Sequence, residues 1–195
     1  MSQNKKINIC SPGYNASCAL CCGSHNYDAS LEEISEMFAK RTEWICIHCS
    51  GNAIQKTFSN EDYCTLLHGV SEFMLPKVHD DAIQCPFVGY IESTATIGCL
   101  IYPESHYIDL REHHLTGKTC RHFSCAAREI LTDDEILFAA RMMQDWYYYS
   151  LLINDIAFLK KIYLELRNQE SVPDNVMKAI KNNLTKALFE HALIG

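Results

Sequence analysis

The last 70 residues of this chain contain no cysteine. All eleven cysteines lie between positions 10 and 125, and that break is the sharpest change of composition in the sequence. Basic residues are also scarce, with Lys+Arg at 17 against Asp+Glu at 24 and a net charge of −7. Nucleic acid is therefore not expected as a main partner, because phosphate neutralisation needs clustered Lys and Arg. Lys5-Lys6 is too short to count as such a cluster. No window of about 20 apolar residues exists, so no membrane span is expected. The richest run, YYYSLLINDIAFLKKIYLEL at 147–166, is broken by Asn154, Asp155, Lys160 and Lys161 and reads as amphipathic core helix. MSQNKKINICSPGYN lacks the apolar stretch of a secretory signal, so a cytoplasmic location is expected. A phosphate-binding glycine loop and a dinucleotide fingerprint are missing too.

What remains is 48% apolar, enough for a real core. In the tail, Thr132 and Glu135 form a capping box, and Ile136, Ala139, Ala140 and Met143 follow at helical spacing. Asp133 and Asp134 are charges of that helix start. A second stripe holds Leu152, Ile156, Leu159, Tyr163 and Leu166, with no Gly or Pro to separate it from the first. Pro173 restarts a helix whose stripe is Val176, Ile180, Leu184 and Leu188. These stripes predict core, or a surface for a protein partner. Earlier in the chain, Ser30 and Glu33 cap a helix carrying Ile34, Met37 and Phe38. SNEDYCTLLHGV predicts a helix ending at a Gly69 C-cap, and TEWICIHCSG has the composition of a short strand. CPFVGYIESTATIGCLIYP predicts a hairpin.

The cysteines form three groups: 10, 18, 21 and 22; 46, 49 and 64; 85, 99, 120 and 125. Thiols in a reducing compartment rarely form structural disulfides, and an odd count leaves one thiol over. Two C-x-x-C steps occur, Cys18/Cys21 and Cys46/Cys49, and such a turn lets both sulfurs face one point. Structural zinc and iron–sulfur clusters each want about four thiolates. The first and third groups supply eight, for one site with spare thiols or for two. Adjacent side chains diverge on helices and strands, so Cys22 is expected to point away from a Cys18–Cys21 pair. Cys64, beside Leu66 and Leu67, is expected to pack as a small hydrophobe. His106, His113 and His114 precede Cys120, and any one of them could complete a zinc site. CIHC also admits a redox dithiol, although the βαβ context of a thioredoxin-like fold is missing.

CALCC at 18–22, CPF at 85–87, CLIY at 99–102 and CRHFSC at 120–125 follow one another in a distinctive order. The order resembles the YkgJ-like cysteine-cluster family, described as a zinc- or iron-chelating domain with a C-x-x-C-x-x-C-C hallmark. Arg111 stands for the family's arginine, followed here by Glu112 rather than Pro. Cys10 lies further from Cys18 than the hallmark has it, so SPGYNAS is an insertion. The resemblance covers residues 10–125. Flagellin lysine methylases carry a related arrangement, and that likeness implies an iron–sulfur cluster rather than zinc.

The sequence thus predicts an α+β, mainly α protein. A loop-rich, metal-knit cysteine domain with short helices and a small hairpin spans 1–128, and a helical region at 129–195 packs on it. The expected ligands are Cys10, Cys18, Cys21, Cys22, Cys85, Cys99, Cys120 and Cys125, holding an iron–sulfur cluster or zinc. The expected role is structural or electron transfer. A modification enzyme related to the lysine methylases and a metal-free thiol redox sensor are the alternatives.

Overall fold

The computed structural model describes residues 6–49, 60–91, 96–102, 125–169 and 171–192, with backbone only at 49 and 188–192. Among them are seven α-helices and one two-stranded antiparallel sheet, a mainly α, α+β architecture. In chain order these are α1 (Leu31–Cys49), α2 (Asn60–Ser71), β1 (Val88–Tyr90), β2 (Ile97–Cys99), α3 (Ala126–Ile130), α4 (Asp133–Met143), α5 (Trp146–Asn154), α6 (Ile156–Leu166) and α7 (Asp174–Ala192). The chain divides into two compact units, one of residues 21–123 and one joining 1–20 to 124–195. Composition places a boundary at 128/129; the packing instead takes the first twenty residues into the helical unit.

In the unit of 21–123, α1 begins with the expected capping box. The Ser30 amide donates to Glu33 Oε2 at 2.8 Å and the Glu33 amide to Ser30 Oγ at 3.3 Å. Ile34, Met37, Phe38, Arg41 and Ile45 then recur on one buried face. TEWICIHC does not form the expected strand; it continues α1 to Cys49. Ile45 packs with Tyr63, Leu66, Val70, Phe87, Leu100 and Ile101, and that burial overrides the β-prone local composition. Gly69 is not a C-cap. It lies inside α2, which runs to Ser71, because a Cβ there would enter the Trp44 ring. The predicted hairpin is present, with Val88 opposite Cys99, Gly89 opposite Gly98 and Tyr90 opposite Ile97. Thr42 of α1 fastens it: the Tyr90 amide donates to Thr42 Oγ1 at 2.8 Å, and that hydroxyl donates to the Tyr90 carbonyl at 3.1 Å.

The other unit has a core of Ile9, Ala16, Ile136, Tyr149, Leu152, Leu159, Ile180, Leu184 and their neighbours. The N-terminal segment is part of it: the Ile7 amide donates to Asp133 at 3.5 Å and Ser150 Oγ to the Ser17 carbonyl at 3.3 Å. The long apolar run is not one helix. Gln144 takes a left-handed φ of 52° and ends α4, and Asp145 caps α5 through the Tyr148 amide. Asp155 caps α6 through the Phe158 amide at 3.1 Å. Each aspartate carboxylate offers the chain an N-cap and so competes with continuation of the helix.

The Thr132–Glu135 capping box opens α4 as expected. Burial alone would raise the Glu135 carboxyl, but bonds from the Thr132 amide and hydroxyl, with Lys160 at 3.4 Å, hold it below the usual range. A lowered folded-state value stabilises the fold above the unfolded carboxylate range, and that gain is lost as pH falls through the folded value. Thr132→Ala is expected to cost about 1 kcal/mol at neutral pH. Urea unfolding should show the penalty shrinking toward pH 3; an equal penalty at both pH values contradicts the account.

Candidate metal centre

The cysteines of the described residues outside α1 and α2 fall into two sets, each acting electrostatically on one group of its own unit. The first set lies in the unit of 1–20 and 124–195. SPGYNAS, the stretch between Cys10 and Cys18, forms a tight reversal. Gly13 has φ of 90°, Tyr14 and Asn15 have φ of 58°, and Gly13 pairs with Ala16. Positive φ at both central residues is what a type I′ turn requires, and Asn and Gly tolerate that region best. The turn returns the chain so that the Cys18 amide donates to the Cys10 carbonyl at 3.0 Å. Cys125 precedes α3, and both it and Cys18 pack against the unit's core.

Tyr149 stands in the midst of this set. Its ring is fully buried, and its hydroxyl donates to the Ile9 carbonyl at 2.9 Å. Burial pushes its phenol well up, and Cys18, Cys10 and Cys125 lie near enough to push it further. Asn154 donates from Nδ2 to Cys18 Sγ at 3.6 Å and to the Ser150 carbonyl at 2.8 Å.

The second set lies in the unit of 21–123. Cys21 and Cys22 sit in a 3₁₀ turn, Leu20–Cys22, with their sulfurs 3.9 Å apart. The expected divergence of the doublet is not found, since rotation about χ1 brings the two Sγ atoms back together. The boundary between the two compact units falls inside the Cys18/Cys21 C-x-x-C step. The Cys85 amide donates to the Cys22 carbonyl at 2.9 Å, and the hairpin carries Cys99 opposite Val88. Cys85 and Cys99 both lie near enough to act on Cys22 electrostatically. A hydrogen bond from Cys22 pulls Cys21 down to about 7 against its burial. Cys22 is pushed well up by that same bond, by burial and by the other three sulfurs. Of the pair, Cys21 is the readier to ionise, and the thiolate is the form that binds metal and attacks disulfides.

The loop behind the doublet is held firmly. Gly23 has φ of 81°, and a Cβ there would collide with the Ile83 carbonyl. Asn26 donates to the His79 and Ala82 carbonyls at 3.0 and 3.3 Å and accepts from the His79 amide at 2.8 Å. Gln84 donates to the Asn26 and Leu75 carbonyls. These bonds bring the two stretches bearing Cys22 and Cys85 to one place.

Comparison with known proteins finds no match: no family model, no curated protein and no solved structure.

Other candidates fall elsewhere. Cys120, Arg111, His106, His113 and His114 lie outside the described residues. Cys64 is exposed on α2 rather than packed, because Tyr63 and Leu66 take the buried face. Cys46 and Cys49 ride on α1 instead of a strand. Nine cysteines, at 10, 18, 21, 22, 46, 64, 85, 99 and 125, carry thiols rather than disulfides. No helix among the described residues is long and apolar enough to cross a membrane.

The donor chemistry suits the expected group, since sulfur ligands select zinc or iron–sulfur clusters. A thiolate tetrahedron with metal–sulfur bonds of about 2.3 Å has edges of about 3.8 Å. The 3.9 Å Cys21–Cys22 separation matches such an edge. Among the described residues no three His, Cys, Asp or Glu side chains already stand in an ion-holding arrangement.

Two side chains beside the second set were not legible as functional. Arg41 is fully buried in α1 and donates to the Tyr27 hydroxyl at 3.1 Å, to the Cys85 and Val88 carbonyls at 3.4 Å, and to Met74 Sδ at 2.7 Å. The Tyr27 hydroxyl feels Arg41 together with Cys85 and Cys22. The one available signal was a cation at a position of the helical stripe where Ile34, Phe38 and Ile45 predict an apolar residue.

Proposed function

We propose that this is a cytoplasmic metal-binding protein of the cysteine-cluster kind. Its ligands are drawn from Cys10, Cys18, Cys21, Cys22, Cys85, Cys99, Cys120 and Cys125. They hold zinc or an iron–sulfur cluster in a structural or electron-transfer role. The reading is supported above all by the nearness of Cys85 and Cys99, from two further stretches of chain, to the Cys21–Cys22 doublet, whose sulfurs lie 3.9 Å apart. The likeness to the YkgJ-like family adds to it from the sequence alone. A metal would cross-link the sulfur-bearing loops, and as a cluster it would also carry an electron.

Anaerobic purification of the full chain is expected to yield at least about one equivalent of zinc or iron, with visible absorption only for iron–sulfur. Chelation should then lower the melting temperature. A chain that folds with well under one equivalent of either metal ends the proposal.

The Cys21–Cys22 pair favours a second reading, a thiol redox sensor, because its low thiol sits 3.9 Å from a partner sulfur. The same purification separates the two: the sensor gives a metal-free chain whose Cys21 alkylates fastest.

A further inference from the structure

Cys21 and Cys22 are neighbours in the chain, and their sulfurs are neighbours in space, 3.9 Å apart. Both sit in the 3₁₀ turn Leu20–Cys22, with Cys21 exposed and Cys22 half-buried. The two residues are not held alike. The Cys22 carbonyl accepts the Cys85 amide at 2.9 Å, and the next residue, Gly23, lies against the Ile83 carbonyl. Cys22 is thus anchored from behind, while Cys21 presents its side chain to solvent. A disulfide bond is about 2.05 Å long, so the sulfurs must close by roughly 1.9 Å, and rotation about the χ1 bonds is the movement available for it.

Such a bond differs from one that staples a secreted domain. Ordinary disulfides join Cα atoms roughly 4.4–6.8 Å apart, whereas neighbours across a trans peptide stand about 3.8 Å apart. A disulfide between them is therefore strained, and strained disulfides are the readily reduced, regulatory ones.

We propose that Cys21 and Cys22 are a reversible oxidation site, closing a disulfide between chain neighbours when the protein meets a hydroperoxide. The inference rests on the redox-sensor reading and names its bond and its oxidant. Cys21, the exposed sulfur, attacks the terminal oxygen of the peroxide. An S–O bond forms, the O–O bond breaks, and the hydroxide that leaves becomes water with the proton Cys21 gave up. Cys21 is then a sulfenic acid. The Cys22 sulfur attacks the Cys21 sulfur; the S–S bond forms, the S–O bond breaks, and the oxygen departs as water with the Cys22 proton. Two thiols and one hydrogen peroxide thus give one disulfide and two waters, the sulfurs losing the two electrons that the peroxide gains. Cys22 is held one peptide link from the sulfenic acid, so the second step is intramolecular and outruns capture by a thiol in solution. Return needs only a thiol reductant, through a mixed disulfide.

The test uses the full chain, purified anaerobically and treated with one equivalent of hydrogen peroxide. Remaining thiols are blocked with iodoacetamide, disulfides are reduced, and the freed thiols are tagged with N-ethylmaleimide and mapped by mass spectrometry. The expected result is the loss of two free thiols per chain, with the tag on Cys21 and Cys22 and no cross-linked peptides before reduction. Glutathione should restore both thiols. In Cys22→Ser the disulfide is lost, and dimedone should trap Cys21 as a sulfenic acid, an adduct the unaltered chain does not accumulate. The map of the unaltered chain decides the pairing by itself if Cys22→Ser does not fold. A disulfide from Cys21 or Cys22 to Cys85, Cys99 or any other cysteine overturns the pairing and leaves the redox-sensor reading standing. A Cys21–Cys22 bond that glutathione leaves intact overturns the reversible site. A chain whose thiols all survive peroxide overturns both, and metal binding is then the reading that stands.

Discussion

Gly23→Ala is expected to be among the most damaging single-methyl changes in the cysteine-rich unit. Gly23 sits at φ of 81°, where an L residue costs about 1–2 kcal/mol before any contact is considered. The added Cβ would also run into the Ile83 carbonyl, which is backbone and cannot swing aside as a side chain can. Relief demands that the loop after Cys22 part from the segment at 83–84, and the Asn26 and Gln84 bonds to the same segment go with it. The combined penalty is about 4 kcal/mol or more, in the range reserved for a named steric or burial fault. On the proposed metal-binding reading, metal retention should fall in step, since the same separation carries Cys22 from Cys85. Thermal unfolding and metal content of Gly23→Ala check both. A variant with wild-type melting and full metal would show that the loop is not clamped as described.

The second large effect belongs to the helical unit. Tyr149→Ala removes a fully buried ring from the core and should cost about 3–5 kcal/mol, the usual range for deleting a buried aromatic. Tyr149→Phe keeps the ring but leaves the Ile9 carbonyl without its 2.9 Å donor, for about 1–3 kcal/mol. The difference between the two variants separates packing from the hydrogen bond. Urea unfolding followed by circular dichroism measures it. Equal losses would mean that the hydroxyl, not the ring, secures the N-terminal segment.

Much of the architecture was written locally. The capping boxes at Ser30–Glu33 and Thr132–Glu135 need only four residues each, and both form. The hairpin at 88–99 also declares itself through two β-prone runs around a polar turn. What escaped depended on partners far along the chain. TEWICIHC is helical because Ile45 finds Tyr63, Phe87 and Leu100, which no window of ten residues contains. The breaks at Gln144 and Asp155 are locally encoded in two aspartates that act as N-caps, with neither Gly nor Pro to mark them. For the sulfurs, clustering in sequence raised the expectation of shared chemistry without saying which of them meet. Cys10, Cys18 and Cys125 act electrostatically on Tyr149, and the Cys21 and Cys22 sulfurs lie 3.9 Å apart. A spacing motif reports that two sulfurs are able to meet; the turns and packing on either side decide whether they do. Arg41 escaped for a related reason, because a single cation on an apolar stripe has no meaning until its neighbours are known.

The helical unit is built from two pieces of chain, 1–20 and 124–195, with the cysteine-rich unit inserted between them. During synthesis every residue of the insert is joined before α3 to α7 exist, so the ribosome delivers Cys21, Cys22, Cys85 and Cys99 together while the opening segment still lacks its core. Ile9 and Ala16 must wait for Tyr149 and Leu152. The insert is thereby complete on the nascent chain, ahead of the body that encloses it in sequence, and on the proposed metal-binding reading its sulfurs are the first to meet an ion.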